Sequence, residues 1–206
     1  MKKTIAYVDG FNLYHGLLDR HNISSVSCSE RSFRKYLWLN LPGFMGSFLC
    51  KEYQLEKLYY FTAPIRGDSD AQKRMSAYWK ALESLKCVEI QKGKYIRKGN
   101  FYLEKQTDIK MALQMFEDAL FIEDLKAIIL LCADSDQIPT LERINRLKPE
   151  IEMHLVFPPS RFSDDLLNSI NITRRHKTRE KRLRAYQFPD TIVTPQYTVT
   201  KPSEWV

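Results

Sequence analysis

The chain has 206 residues, 44% of them hydrophobic and 28% charged, with a net charge of +7. That size supports one well-buried domain plus an appendage, and the composition is that of an ordinary globular protein. No stretch approaches the ~18 apolar residues of a membrane helix, and the four cysteines (Cys28, Cys50, Cys87, Cys132) show no CxxC spacing, so a reduced cytoplasmic protein is expected rather than a disulfide scaffold.

The opening Met1-Lys2-Lys3-Thr4-Ile5-Ala6 resembles the start of a secretory signal, but Asp9 interrupts the apolar run too early for one. Residues 4–8 therefore read as a strand, and Gly10 and Asn12 as a turn into a helix over Leu13–Asp19. Phe33, Tyr36, Leu37 and Leu39 recur at helical spacing within residues 30–40, before Pro42, Gly43 and Gly46 interrupt them. Leu55–Phe61 is a strand and Asp70–Leu85 a helix. Val88–Gln91 reads as a third strand and residues 94–103 as a hairpin about Gly99-Asn100. Asp108–Phe121 is helical, with Ile109, Ala112, Leu113, Phe116 and Leu120 expected on its inner face. Ala127–Cys132 is continuously apolar, as a central parallel strand buried on both sides would be. A helix over Ile138–Leu147, a strand over Met153–Phe157 and a short helix over Phe162–Ser169 follow. From Thr173 the pattern becomes a basic helix and then a tail punctuated by Pro189, Pro195 and Pro202. Strands alternating with helices predict an α/β fold with parallel pairing and right-handed crossovers.

The charge is unevenly placed. Residues 173–184 carry seven Lys/Arg against Glu180, while residues 1–172 hold an excess of only +2. Such a segment attracts polyanions, nucleic acid foremost, although a solvated helix surface would look the same.

Four aspartates sit where strand passes to helix: Asp9, Asp108, Asp134 and Asp136. Singly, each reads as a helix cap or turn residue. Together, at the edge where strands feed helices, they repel one another unless a cation neutralises them or some stay protonated. With no His/Cys cluster to suit zinc, the first hypothesis is a Mg²⁺ or Mn²⁺ site used on phosphodiesters. Asn12, a turn beyond Asp9, reads either as a cap or as a holder of water or phosphate. Ser135 either closes its turn or bonds a phosphate.

Residues Tyr7-Val8-Asp9-Gly10-Phe11-Asn12-Leu13-Tyr14 resemble the opening motif of the NYN domain, a branch of the PIN-like nuclease superfamily. Residues 105–112 (Lys105 to Ala112, around Asp108) and Ala133-Asp134-Ser135-Asp136 are similar to its second and third motifs. Phe188-Pro189-Asp190 and Lys201–Trp205 look like the ending of bacterial members, and Ala133 and Gln137 stand where Gly and Phe are common. The resemblance implies a Rossmann-like three-layer α/β/α fold with a central, mostly parallel sheet. Residues 1–172 would form the nuclease domain, and residues 173–206 a basic helix and tail packed on it. It further implies a ribonuclease dependent on Mg²⁺ or Mn²⁺, hydrolysing RNA with cation-activated water in a pocket of Asp9, Asp108, Asp134 and Asp136, with Asn12 beside them. RNA would be held by Ser135 and by Arg174, Arg175, Lys177, Arg179, Lys181 and Arg182. Arg66, Lys73, Arg74 and the hairpin cations Lys92, Lys94, Arg97 and Lys98 offer further phosphate contacts, and Tyr14, Tyr95 or Phe101 could stack on bases. The competing functions are a non-catalytic RNA-binding module and a metal-dependent phosphatase.

Overall fold

The computed structural model describes residues 1–18, 33–65, 68–98, 101–169 and 171–205. The first strand, β1 (Lys2–Asp9), runs into α1 (Gly10–Leu18) without an intervening loop. Gly10 makes that possible: a Cβ there would lie 2.6 Å from the Phe61 carbonyl oxygen. After a 3-10 turn at Phe33–Tyr36 come α2 (Leu41–Gly46), β2 (Tyr53–Thr62), α3 (Ser69–Glu83) and β3 (Val88–Lys92). The antiparallel hairpin β4 (Lys94–Lys98) and β5 (Phe101–Lys105) precedes α4 (Thr107–Phe121). Then follow β6 (Leu125–Leu131), α5 (Ile138–Leu147), β7 (Glu152–Phe157), α6 (Asp164–Asn168), β8 (Arg174–Lys177) and α7 (Glu180–Ala185). A small hairpin, β9 (Thr191–Val193) with β10 (Thr198–Thr200), ends the chain before Trp205.

Six strands form the central sheet in the order β3-β2-β1-β6-β7-β8, every pairing parallel. The order reverses between β1 and β6, which is where α/β sheets open a crevice for ligands. Alternate residues feed two cores. Ala6, Val8, Leu58, Tyr60, Ile129 and Leu131 face α1, α2, α3 and the tail residues Phe188, Val199 and Trp205. Ile5, Tyr7, Tyr59, Phe61, Ile128 and Leu130 face Met111 and Met115 of α4, Leu141 and Ile144 of α5 and Leu166 of α6. The result is the expected three-layer α/β/α arrangement.

Three local expectations are corrected. The helical spacing in residues 30–40 yields only the short 3-10 turn; Trp38 and Leu39 are fully buried and non-helical, with Leu39 bridging Gln187. The helix comes later, at Leu41–Gly46, because Pro42 fits its first turn and Asn40 caps Gly43 N–H at 3.1 Å. In α4 the buried side is Met111, Met115, Asp118 and Ala119, whereas Ile109 and Leu113 are 64% and 62% exposed. Its orientation is set by a polar contact, the Tyr7 hydroxyl donating to Asp118 at 2.6 Å. Finally, the basic helix expected from Thr173 is a strand followed by a short helix: Arg174–Lys177 pairs with His154–Phe157, and helix resumes at Glu180. An edge strand dense in Arg and Lys resists pairing with another chain, which suits its place at the sheet margin. Asp19, Arg66, Gly99 and Asn100 lie outside the described residues, as do the side chains of Arg97, Lys98 and Phe101.

Candidate active site

Asp9 is the last residue of β1, and it is 3% exposed at the sheet's reversal point. Its Oδ1 accepts from Phe11 N–H at 3.0 Å and Asn12 N–H at 2.9 Å, so it caps α1. Its Oδ2 accepts from the Asn12 amide and, at 3.5 Å, from the Cys132 thiol. Asn12 is therefore a cross-link rather than a cap: its own Oδ1 accepts from Ala133 N–H at 3.3 Å, tying the end of β1 to the segment leaving β6.

Asp134 lies on that segment, half-buried, capping the 3-10 turn Ser135–Gln137 with Oδ1 accepting from Asp136 N–H at 3.0 Å. Between the two carboxylates sits Cys132, which also accepts from Asp134 N–H at 3.2 Å. Burial raises the Asp9 carboxyl above its ordinary range; the bonds from Asn12 and Cys132 lower it, and the like charge of Asp134 raises it again. Among the described residues, no cation contributes to this balance. A buried carboxylate facing a second carboxylate is thus left to a ligand or a proton.

Asp108 is half-buried in the first turn of α4, and its main-chain carbonyl accepts weakly from Gln137 Nε2 at 3.5 Å. The approach to it passes through Gln106 at a left-handed φ of 82°, a conformation costing about 1–3 kcal/mol. Ser135 and Asp136 are exposed on the same turn as Asp134. Thus the structure joins Asp9, Asn12, Cys132 and Asp134 by direct contacts, and brings the main chain at Asp108 to the Gln137 amide. Among the described residues, no three His, Cys, Asp or Glu side chains come together in a group that could hold a metal ion.

Two observations fit a hard divalent cation nonetheless. Mg²⁺ is ordinarily held by one or two carboxylates plus water and substrate oxygens, which Asp9 and Asp134 can supply. Gln137, 1% exposed, also keeps a buried Oε1 with no hydrogen-bond partner among the described residues.

The basic residues separate. Arg174 lies at the opposite, strand-start edge, donating to Cys50 Sγ at 2.8 Å with its guanidinium over Tyr53. Arg182 packs 4.1 Å over Phe48 and donates to the Ser47 carbonyl and, at 2.7 Å, to its hydroxyl. Arg175 is exposed, making a long bond to the Leu167 carbonyl at 3.4 Å. Lys177, Arg179 and Lys181 are exposed at and beyond the carboxyl end of β8. That strand is three places from β1, about 14 Å at the usual strand spacing. Lys73 pairs with Asp70 and Arg74 with Glu204, both at 2.9 Å, and Lys92 lies over Trp79.

Sequence reasoning missed two participants. Cys132 reads as a small buried hydrophobe, and only its level with Asp9 across the β1–β6 pairing signals otherwise. Tyr60, buried on β2, has its hydroxyl pushed well above the ordinary tyrosine range, chiefly by burial and further by the Asp9 charge.

A crystal structure titled "protein of unknown function VPA0982" from Vibrio parahaemolyticus RIMD 2210633 superposes with a TM-score of 0.59 at 15% identity, covering 91% of this chain and 96% of that one. At that identity the likeness speaks for the fold alone. No curated protein is similar at a significant level. The family model described as NYN domain matches residues 3–174, a span holding all three motifs and the whole acidic site, and the chain belongs to the NYN domain family.

Proposed function

We propose that this nuclease-like domain is a ribonuclease dependent on Mg²⁺ or Mn²⁺. The observation that carries the reading is the buried Asp9 carboxylate, which has Asp134 for a neighbour and no cationic partner among the described residues. Asp9 and Asp134 would hold the cation, with Asp108 and Asp136 as the outlying carboxylates of the set. When bound, such a cation lowers the pKa of water and offsets the charge of the phosphodiester. Asn12 fixes the orientation of Asp9 through its amide and thereby the distance between the ends of β1 and β6. Attack by water on phosphorus and departure of the ribose oxygen would complete hydrolysis. Ser135, Arg175, Lys177, Arg179 and Lys181 are exposed and suited to phosphate contact; Arg174 and Arg182 are engaged within the protein.

The lack of a three-acid group among the described residues favours one second reading, an RNA-binding module without turnover. The free state of Cys50, Cys87 and Cys132 supports a cytoplasmic setting, and among the described residues no helix is long and apolar enough to cross a membrane. Labelled single-stranded RNA, incubated with the protein and Mn²⁺ with or without chelator, decides between the readings. Cleavage that stops with chelator and with Asp134→Asn supports the nuclease. Salt-sensitive binding with no cleavage supports the binding module.

A further inference from the structure

A cleft of about 240 Å³ lies against the other side of the α1 start, among Phe11, Tyr14, Tyr60, Tyr78, Arg74 and Trp205. Well-packed interiors leave few voids larger than one water, whose share of liquid volume is about 30 Å³. The cleft is therefore too large to be a packing flaw. It also falls below the ~300–1,000 Å³ usual for sites that hold a whole drug-sized molecule. Its back wall is braced: Tyr60 and Tyr78 pack edge to face at 6.0 Å, and Tyr78 and Trp205 at 6.1 Å. Arg74, held by Glu204 at 2.9 Å, supplies a cation to this wall. The cleft is continuous with the acidic site through one turn of chain, since Gly10 and Phe11 line it while the N–H groups of Phe11 and Asn12 bind Asp9.

We infer that this cleft receives one unpaired base of an RNA strand whose neighbouring phosphate lies at Asp9 and Asp134. The inference rests on the ribonuclease reading and specifies its substrate as single-stranded. Flat aromatic walls suit a planar base, stacking tolerates any base, and the adjoining carboxylates exclude the phosphate from the cleft itself. Base pairing would keep the base in its helix, so a duplex could not fill the cleft.

The test is binding of a 5′-labelled single-stranded oligoribonucleotide, followed by anisotropy in chelator so that nothing is cleaved. A series in which a single abasic residue is walked along the strand is compared with the parent. An abasic residue at one position should weaken binding about tenfold, in keeping with the stacking of a single base. Tyr14→Ala should weaken the parent oligomer by a similar factor and erase that positional difference. Equal binding of parent and every abasic oligomer overturns the inference, as does absence of binding. The abasic series on the wild-type chain needs no variant to fold. With Mn²⁺ present, cleavage without any abasic effect would remove the cleft and leave the nuclease. Base-dependent binding without cleavage would remove the nuclease and leave the cleft.

Discussion

The two edges of the central sheet treat a carboxylate in opposite ways. At the strand-start edge Glu152 accepts from Lys2 Nζ at 2.8 Å and from the Tyr53 hydroxyl at 2.6 Å, and these bonds hold its carboxyl down at about 2 despite partial burial. At the strand-end edge Asp9 is more deeply buried, has amides and a thiol for partners, meets a second aspartate, and is raised. Where the fold needs a stable charged group it supplies a cation and a hydroxyl. Where it leaves a carboxylate pair uncompensated, the compensation must come from outside the chain.

The largest effect separating the edges should come from Asp134→Asn. The asparagine Oδ1 can still accept from Asp136 N–H, so the turn survives, while the charge opposite Asp9 is gone. RNA cleavage should fall by on the order of 10²–10³, the drop seen when a preorganised electrostatic group is removed. The metal-free melting temperature should hold or rise, since a like-charge repulsion is relieved. A clear drop in melting temperature, with cleavage retained, would show that Asp134 is structural like Glu152.

Next comes the basic set, which the structure divides. Replacing Lys177, Arg179 and Lys181 together by Ala should weaken RNA binding and flatten its salt dependence. For a single strand, the slope should fall by about 0.7 for every phosphate that is no longer neutralised. Melting should not change, because all three are exposed. Arg182→Ala should do the reverse. It forfeits the Ser47 bonds and the Phe48 stacking and should cost about 1–2 kcal/mol of stability, readable by denaturant titration, with RNA affinity nearly kept.

That division is not legible in the sequence, and the reason is physical. Arg174 and Arg182 resemble Lys177 and Lys181 as charges on a pattern, but Phe48, Ser47 and Cys50, which engage them, come from more than a hundred residues earlier. The same limit misplaces the inner face of α4. Ile109, Leu113 and Phe116 make the stronger apolar stripe, yet the buried Tyr7–Asp118 bond turns Met111 and Met115 inward. Elements fixed by local signals are legible. The helix Ile138–Leu147 has the bounds its pattern predicts, and the apolar run of β6 marks a central strand. The acidic site is legible as strand-end aspartates, Asp9 and Asp134, with Asn12 beside them. Cys132 is not, since a cysteine in an apolar run carries no sign of the thiol that spans two carboxylates.

The smallest effect tests the strand-start edge by acid. Glu152→Gln keeps an acceptor for Tyr53 but loses the Lys2 ion pair, a cost of about 1 kcal/mol near neutral pH, or roughly 2–4 °C for a chain of this size. A carboxyl lowered in the folded state stabilises above its unfolded pKa, and that contribution is lost as pH falls through the folded value. The wild-type advantage should therefore be complete above pH 4.5 and vanish toward about 2. Asp9 has the opposite sign. Raised in the folded state, it favours folding most below its ordinary value of 3.8 and less as pH rises through its folded value. The difference between wild type and Glu152→Gln isolates the first from the second, because Asp9 titrates alike in both. If that difference persisted unchanged at pH 2, Glu152 would owe its place to packing rather than charge, and the contrast between the edges would rest on Asp9 alone.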